Sequence, residues 1–150
     1  MTPVDPDYER RTRDSFARQP AMVTIGIEIG EIGPGRVVLA MAHRADLTQQ
    51  HGFQHAGIVA TGLDTACGYA AFTLMPAEAG VLTIEFKVNL LAPARGPLLT
   101  FEGTVTKPGR TISVVDGRAY ESAGSGSERK LVATMTATLM TILGRDDVRH

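Results

Sequence analysis

Cysteine is nearly absent from this chain and tryptophan is wholly absent. The single cysteine, Cys67, excludes an internal disulfide and a zinc cluster built from cysteines, and its alanine neighbours indicate a small buried side chain. Excess charge is also lacking, since 15 Lys and Arg balance 16 Asp and Glu to a net charge of −1. That balance favours neither nucleic acid nor an anionic membrane as a partner. The opening residues, MTPVDPDYERR, lack the apolar core of a signal peptide, so we expect a cytoplasmic protein.

A long run of small and apolar side chains, residues 56–75, is the one candidate for a membrane span. Asp64 lies near its middle, where a charge is costly in a bilayer, and no Lys or Arg closely flanks either end. We therefore expect a buried helix within one domain that covers residues 1–150. The run raises a question, because a buried helix has little reason to carry a lone carboxylate.

The spacing of apolar residues predicts an α+β fold. Polar residues 1–20 predict an N-terminal helix, and the polar tail, 144–150, is expected to be frayed. From Ala56 the apolar residues recur at helical spacing until Pro76 ends the pattern. Segments that alternate apolar and polar residues predict six strands, at 23–30, 36–42, 82–90, 99–106, 111–121 and 130–143. Because the last four strands follow one another without helices, the sheet should be antiparallel and not doubly wound.

His55 and Asp64 are the polar residues of this helical region that could carry chemistry. They are nine residues apart, which on one helix places them half a turn out of phase and about 13 Å apart along the axis. They cannot touch within one chain. Either they serve unrelated purposes, or a second subunit brings His55 of one chain toward Asp64 of the other.

His55 stands where the helix should begin. There the backbone N–H groups of Ala56 and Gly57 would be unpaired and would suit a carbonyl oxygen that gains negative charge. The alternative is a structural loop histidine. For Asp64 the alternative is a hydrogen-bonded structural carboxylate, but Asp is a poor mid-helix residue and its burial is costly.

Other catalytic and binding patterns are missing. The chain has no G-x-S-x-G elbow, no P-loop, no G-x-G-x-x-G after a strand and no H-E-x-x-H. His51 and His55 have the spacing of metal ligands on a helix, but Gly52 and the loop composition between them argue against one. We expect no metal and no cofactor.

A family resemblance is carried by "HGFQHAGIVATGLDTACGYAA", residues 51–71, followed by "LTIEFKVNLLAPA", residues 82–94. The pattern resembles the hotdog-fold acyl-CoA thioesterases of the phenylacetate-pathway (PaaI-like) type over roughly residues 20–143. The resemblance implies an antiparallel sheet wrapped around one long helix, and active sites built across a dimer interface. It leaves open whether two such homodimers pair into a homotetramer.

The resemblance also assigns roles to residues. It implies that Asp64 is the nucleophile or the general base for water, and that His55 and the N–H of Ala56 bind the thioester oxygen. Gln49, with Gln50 as its rival, matches a positioning Asn or Gln, and Thr83 matches a Ser or Thr that helps to hold the water. The usual His-Gly-Gly is His55-Ala56-Gly57 here, so the methyl of Ala56 narrows the approach to this site.

The expected function is hydrolysis of an acyl-CoA thioester to a free acid and CoA. Arg110 and Lys107 lie in or beside a loop and are candidates to bind the CoA phosphates, as are Arg95 and Lys130. The alternatives are a non-catalytic acyl-CoA-binding hotdog module and a hotdog enoyl-CoA hydratase or dehydratase. The sequence leaves the acyl group undetermined.

Overall fold

The computed structural model describes residues 1–149. Within these residues there are three α-helices and six strands, with short 3₁₀ turns at Ala45–Leu47 and Asp146–Val148. The helices are α1 (Tyr8–Ala17), α2 (Pro20–Ile25) and α3 (Ala56–Phe72). The strands are β1 (Ile27–Gly33), β2 (Arg36–Ala42), β3 (Gly80–Leu90), β4 (Leu98–Lys107), β5 (Ile112–Ser122) and β6 (Arg129–Ile142).

One six-stranded sheet in the order β1-β2-β4-β5-β6-β3 wraps around α3. Every neighbouring pair of strands is antiparallel. The core lies between the helix and the sheet, where Leu63, Phe72 and Phe101 are fully buried. The predicted α+β architecture, an antiparallel sheet around one long helix, is confirmed. Within residues 1–149, no helix is long and apolar enough to cross a membrane.

Glycines allow α3 to lie directly on the strands. A Cβ atom on Gly62 would stand 2.6 Å from the ring of Phe101, and one on Gly103 would stand 2.3 Å from the carbonyl oxygen of Ala66. Both distances are shorter than any normal carbon contact, so only glycine fits. The small side chains of residues 56–75 therefore allow the backbone of α3 to lie close to the backbone of the sheet.

The first predicted strand, residues 23–30, begins too early. Residues Pro20–Ile25 form α2, and the strand starts at Ile27. Pro20 occupies the first turn of the helix, and Gly26 ends it with φ 85° in the left-handed region. Proline at the start and glycine just past the end are typical helix signals, and here they override the alternation of apolar residues.

Strand β3 contains an irregularity that the alternating pattern of residues 82–90 did not predict. Its register against β6 shifts between Thr83 and Glu85. Thr83 pairs with Leu139 before the shift, and Phe86 pairs with Ala137 after it. Since Leu139 and Ala137 are both buried beneath α3, Thr83 and Phe86 face the helix from either side of the bulge.

The N-terminal segment closes the C-terminal end of α3. The Arg11 guanidinium donates to the carbonyl oxygens of Phe72 (3.2 Å) and Met75 (2.9 Å) and pairs with Asp5 at 2.7 Å. It also lies 4.0 Å from the centre of the Phe72 ring. The carbonyl groups that end a helix lack partners inside it, so Arg11 acts as their cap.

The polar tail, predicted to be frayed over 144–150, contains a short turn at Asp146–Val148 that lies against the fold. The carbonyl oxygen of Val148 lies where a Cβ atom on Gly80 would be, only 1.7 Å away, so the turn packs closely on the start of β3. His150 belongs to the predicted tail but lies outside the described residues.

Candidate active site

Asp64 is a half-buried carboxylate on the flank of α3 beside β3. Its Oδ1 accepts a hydrogen bond from the Thr83 hydroxyl at 2.8 Å. No Lys, Arg or His within residues 1–149 forms an ion pair with it. Burial raises the pKa of Asp64, and the hydrogen bond from Thr83 opposes that rise. A carboxylate without a counter-ion and with one free oxygen is suited to take up a proton.

A cavity of about 160 Å³ adjoins this carboxylate. It runs between α3, the start of β3 and the segment that joins α1 to α2. Its walls are Gln19, Asp64, Thr65, Gly68, Tyr69, Val81 and Thr83. The carboxylate therefore faces space that a small group could fill.

His55 is the N-cap residue of α3. Its Nδ1 accepts the N–H of Gly57 at 2.9 Å. This corrects the prediction that Gly57 offers a free donor, because the ring of His55 folds over the first turn and takes it. Within residues 1–149 no acceptor binds the N–H of Ala56. Since Nδ1 is an acceptor, the neutral ring of His55 holds its hydrogen on Nε2, which becomes a second donor at the helix start.

A second cavity, of about 310 Å³, opens at this end of the helix. It is mostly apolar, and Gln49 and Ala56 are part of its wall. The other lining residues are Phe53, Gln54, Val59, Leu90, Leu91, Ala92, Pro93, Ala94 and Val132. Gln49 Oε1 accepts the N–H of His51 at 2.5 Å, whereas Gln50 is exposed and contacts His51. Of the two candidate glutamines, Gln49 is the one that lines the cavity.

Gln54, which was not predicted as a site residue, connects the segments around this cavity through hydrogen bonds. It is only 4% exposed. Its Oε1 accepts the N–H of Arg44, and its Nε2 donates to the carbonyl oxygens of Arg44 and Leu47. Its own N–H donates to Ala94. A buried amide with three side-chain bonds fixes the loop that precedes His55, and its position next to a histidine was the only signal in the sequence.

The single chain does not assemble all predicted site residues. Asp64 and Thr83 line the smaller cavity, whereas Gln49 and Ala56 line the larger one, and the two cavities share no residue. Arg110 lines a third cavity, of about 470 Å³, with Leu74 and Met75 at the opposite end of α3. Lys107 is exposed at the end of β4 nearby. Neither cation lies beside His55 of its own chain.

Residues 1–149 contain no group of three or more His, Cys, Asp or Glu side chains that could hold a metal ion. His51 contacts Gln50 and Phe53, and His55 caps the helix.

The family follows from comparison with known proteins. The family model of the thioesterase superfamily matches residues 51–126, which include His55, Asp64 and Thr83. The chain belongs to the thioesterase superfamily. A thioesterase family protein from Silicibacter pomeroyi is 56% identical, with a TM-score of 0.88 over 91% of this chain and 99% of its own. The Escherichia coli PaaI protein of the phenylacetic acid degradation operon has a TM-score of 0.81 over 91% of this chain and 94% of its own.

At 20% identity the PaaI protein is evidence for the fold alone. It confirms the hotdog fold predicted from the sequence. Two archaeal relatives are provisionally named esterases. One, from Halobacterium salinarum, is 30% identical over 77% of this chain and 80% of its own length. Another, from Saccharolobus solfataricus, is 36% identical over 65% of this chain, and the match spans only 64% of that relative. These relatives agree with a hydrolase of esters or thioesters.

Proposed function

We propose that this protein is an acyl-CoA thioesterase whose active site forms across a homodimer interface. The observation that carries the proposal is Asp64, a half-buried carboxylate that accepts a hydrogen bond from Thr83, has no cationic partner within residues 1–149 and faces a cavity. Structural carboxylates in such positions are normally paired, because burial of an unpaired charge costs free energy. A raised pKa on a cavity wall supports a role in proton transfer.

The edge strand β3 supports the dimer. Its neighbour β6 lies on one side only, and large apolar side chains on and just after it are exposed, among them Ile84 (54%), Phe86 (44%) and Leu91 (55%). An exposed apolar edge strand is a ready template for pairing with another chain. In a two-fold dimer the same strand would meet its own copy, which covers these side chains.

The position of the two-fold axis follows from the two candidate residues. If the α3 helices of the two subunits run antiparallel, His55 of one lies opposite Asp64 of the other when the axis passes midway between them, beside Val59 and Ala60. Each dimer then contains two equivalent sites. The same arrangement carries the C-terminal end of one α3 toward the N-terminal end of the other, and Lys107 and Arg110 move with it toward the place where CoA phosphates would bind.

In the proposed reaction the free oxygen of Asp64 takes a proton from water while the water oxygen bonds to the thioester carbonyl carbon. Negative charge gathers on the carbonyl oxygen, which accepts hydrogen bonds from the N–H of Ala56 and from Nε2 of His55. The adduct then breaks its carbon–sulfur bond, and the proton held by Asp64 passes to the leaving thiolate. The products are the free acid and CoA, and no cofactor is consumed.

Complementation between two inactive variants tests the shared site. His55→Ala and Asp64→Asn should each be nearly inactive alone. In a hybrid dimer, one site combines both substitutions and the other has intact His55 and Asp64. Random exchange makes half of the dimers hybrid, so the mixture should recover about a quarter of the wild-type activity. A mixture as inactive as its components would contradict a site built across the interface.

Wild-type turnover must be measured beside this mixture with a panel of acyl-CoA substrates and free thiol as the readout. Release of thiol supports the proposal. Binding of acyl-CoA without release of thiol would instead support a non-catalytic module, and addition of water to an enoyl-CoA would support a hydratase. A single turnover in oxygen-18 water, with enzyme in excess, identifies the role of Asp64: label in the first acid formed supports a general base, and unlabelled acid supports a nucleophile.

A further inference from the structure

The cavity beside Asp64 has one wall that comes from outside α3 and the sheet. Gln19, in the segment between α1 and α2, lines it together with Tyr69 of α3. Gln19 Nε2 donates to the Tyr69 hydroxyl at 3.0 Å, and that hydroxyl also lies 3.0 Å from the Ser15 hydroxyl. The far wall is therefore a polar group held in place by a hydrogen-bonded network.

Gly68 forms another part of the wall, one turn of α3 beyond Asp64. A Cβ atom built on Gly68 meets no atom within 4 Å, unlike the atoms that crowd Gly62 on the sheet side. A helix interior disfavours glycine relative to alanine, and nothing in the packing of this chain demands glycine at this position. The absence of a side chain at Gly68 leaves space beside the carboxylate of Asp64.

The cavity measures about 160 Å³. A protein cavity of about 150 Å³ accommodates one benzene molecule, so the space suits a group of about six carbons. Its polar end has unused capacity, because the hydrogen bonds within residues 1–149 leave Oε1 of Gln19 without a partner. An amide oxygen without a partner on a cavity wall can accept a hydrogen bond from a ligand that donates one.

We infer that this cavity binds the acyl group of the substrate, that Gly68 sets its size limit, and that Gln19 recognises a hydroxyl or similar donor at the far end of the acyl group. The inference rests on the proposed thioester hydrolysis and names its substrate class: short acyl groups of about six carbons that carry a polar terminus. Gly68 and Gln19 are specificity-determining residues, and neither takes part in bond breaking.

Gly68→Ala tests the size limit. The variant should melt at the same or a higher temperature, because alanine favours the helix. Its kcat/KM for hexanoyl-CoA should fall about tenfold relative to that for butyryl-CoA, since a methyl group that fills space needed by the longer acyl chain has an effect of that order. Gly33→Ala is the matched control: its Cβ also meets no atom within 4 Å, and Gly33 lines none of these cavities.

An unchanged ratio of the two substrates in Gly68→Ala would overturn the size limit. Loss of the dimer in sedimentation would also overturn it, because Gly68 would then serve the subunit interface. The same pair of ligands is measured by calorimetry in the Asp64→Asn background, where binding needs no turnover. Selective loss of hexanoyl-CoA binding there supports the inference even if the protein hydrolyses neither thioester, so the two failures are distinguishable.

Gln19→Leu tests the polar terminus. The variant should lose preference for 6-hydroxyhexanoyl-CoA over hexanoyl-CoA. Gln19→Glu is the matched variant that keeps an acceptor, and it should retain the preference. Equal rates for the hydroxylated and plain substrates in the wild type would overturn this part of the inference.

Discussion

The two ends of α3 are treated in opposite ways. At the C-terminal end, Arg11 binds two carbonyl oxygens, and Asp5 in turn neutralises Arg11, with side-chain exposures of 11% for Arg11 and 9% for Asp5. At the N-terminal end, the N–H of Ala56 has no acceptor within residues 1–149, and His55 and Ala56 are exposed. One end is closed by charge pairing and the other is left open beside a cavity.

The contrast shows that the two ends of the helix differ in whether their backbone groups have partners. Closure of the C-terminal end satisfies the helix and stabilises it. Within residues 1–149, the N–H of Ala56 has no acceptor and Asp64 has no counter-ion, although such partners would stabilise the fold. Local departures from the most stable arrangement are expected where a molecule binds or reacts. Substitutions at the two ends should therefore separate activity from stability.

Asp64→Asn should have the largest effect on activity. Removal of the basic carboxylate should lower kcat by at least about 100-fold, the low end for loss of a general base. Substrate binding should persist, because the donors at His55 and Ala56 are untouched. The melting temperature should hold or rise, since a half-buried carboxylate without a counter-ion disfavours the fold. A destabilised variant with normal kcat would make Asp64 a structural residue.

The pH dependence of stability checks the same carboxylate independently. Because folding raises the pKa of Asp64 above its ordinary 3.8, the folded state binds the proton more tightly than the unfolded state. This contribution to stability is greatest at low pH and is lost as the pH rises from 3.8 through the raised pKa. The wild type should therefore lose melting temperature relative to Asp64→Asn over that window, and parallel curves for the two proteins would contradict the raised pKa.

Arg11→Met should have the largest effect on stability and none on chemistry. Loss of the cap leaves Asp5 buried without its partner, which should lower the free energy of unfolding by about 3 kcal/mol. Addition of Asp5→Asn should recover part of that loss, and a double-mutant cycle measures how much. Below its melting temperature the variant should keep the wild-type kcat. A fall in kcat without loss of stability would show that the two ends of α3 are coupled.

Thr83→Val should have the smallest effect of these substitutions. It removes one hydrogen bond to a charged group, worth about 1.5 kcal/mol, so turnover should fall roughly tenfold. The bond from Thr83 lowers the pKa of Asp64, so its loss should move the acid limb of the pH–rate profile to higher pH. Thr83→Ser keeps the hydroxyl and should retain both the rate and the profile. A profile that does not move in Thr83→Val would mean that Asp64 is not the group that titrates.

The sequence predicts most of this fold because its signals are local. The helical spacing from Ala56 and the alternation in four later segments locate α3 and strands β3 to β6 within a few residues. The strand prediction was wrong for residues 23–25, because over so few residues a short helix and an alternating strand cannot be told apart by the spacing of apolar side chains. The bulge in β3 was not predicted either, because a register shift depends on the partner strand and does not change the alternation of apolar and polar residues within β3 itself.

The candidate site was predicted where a residue stands out from its neighbours. Asp64 is conspicuous in an apolar helix, and His55 is conspicuous at its start. The capture of the Gly57 N–H by His55 was not predictable, because it depends on the rotamer of one side chain. Gln19 and Tyr69 were missed for a different reason: they are 50 residues apart and meet only when α1 and α2 fold back onto α3.

The order of synthesis gives the close contact between α3 and the sheet a further consequence. Strands β3 to β6, which cover most of the helix, all follow it in the chain, and the last of them ends at Ile142, 70 residues beyond Phe72. At translation rates of about 5–20 residues per second, the ribosome needs roughly 4 to 14 s to complete that cover. During this interval a nearly all-apolar helix has only the β1–β2 hairpin to pack against. The glycines that let α3 pack so tightly in the finished protein thus leave the growing chain with a largely apolar helix whose covering strands are completed late.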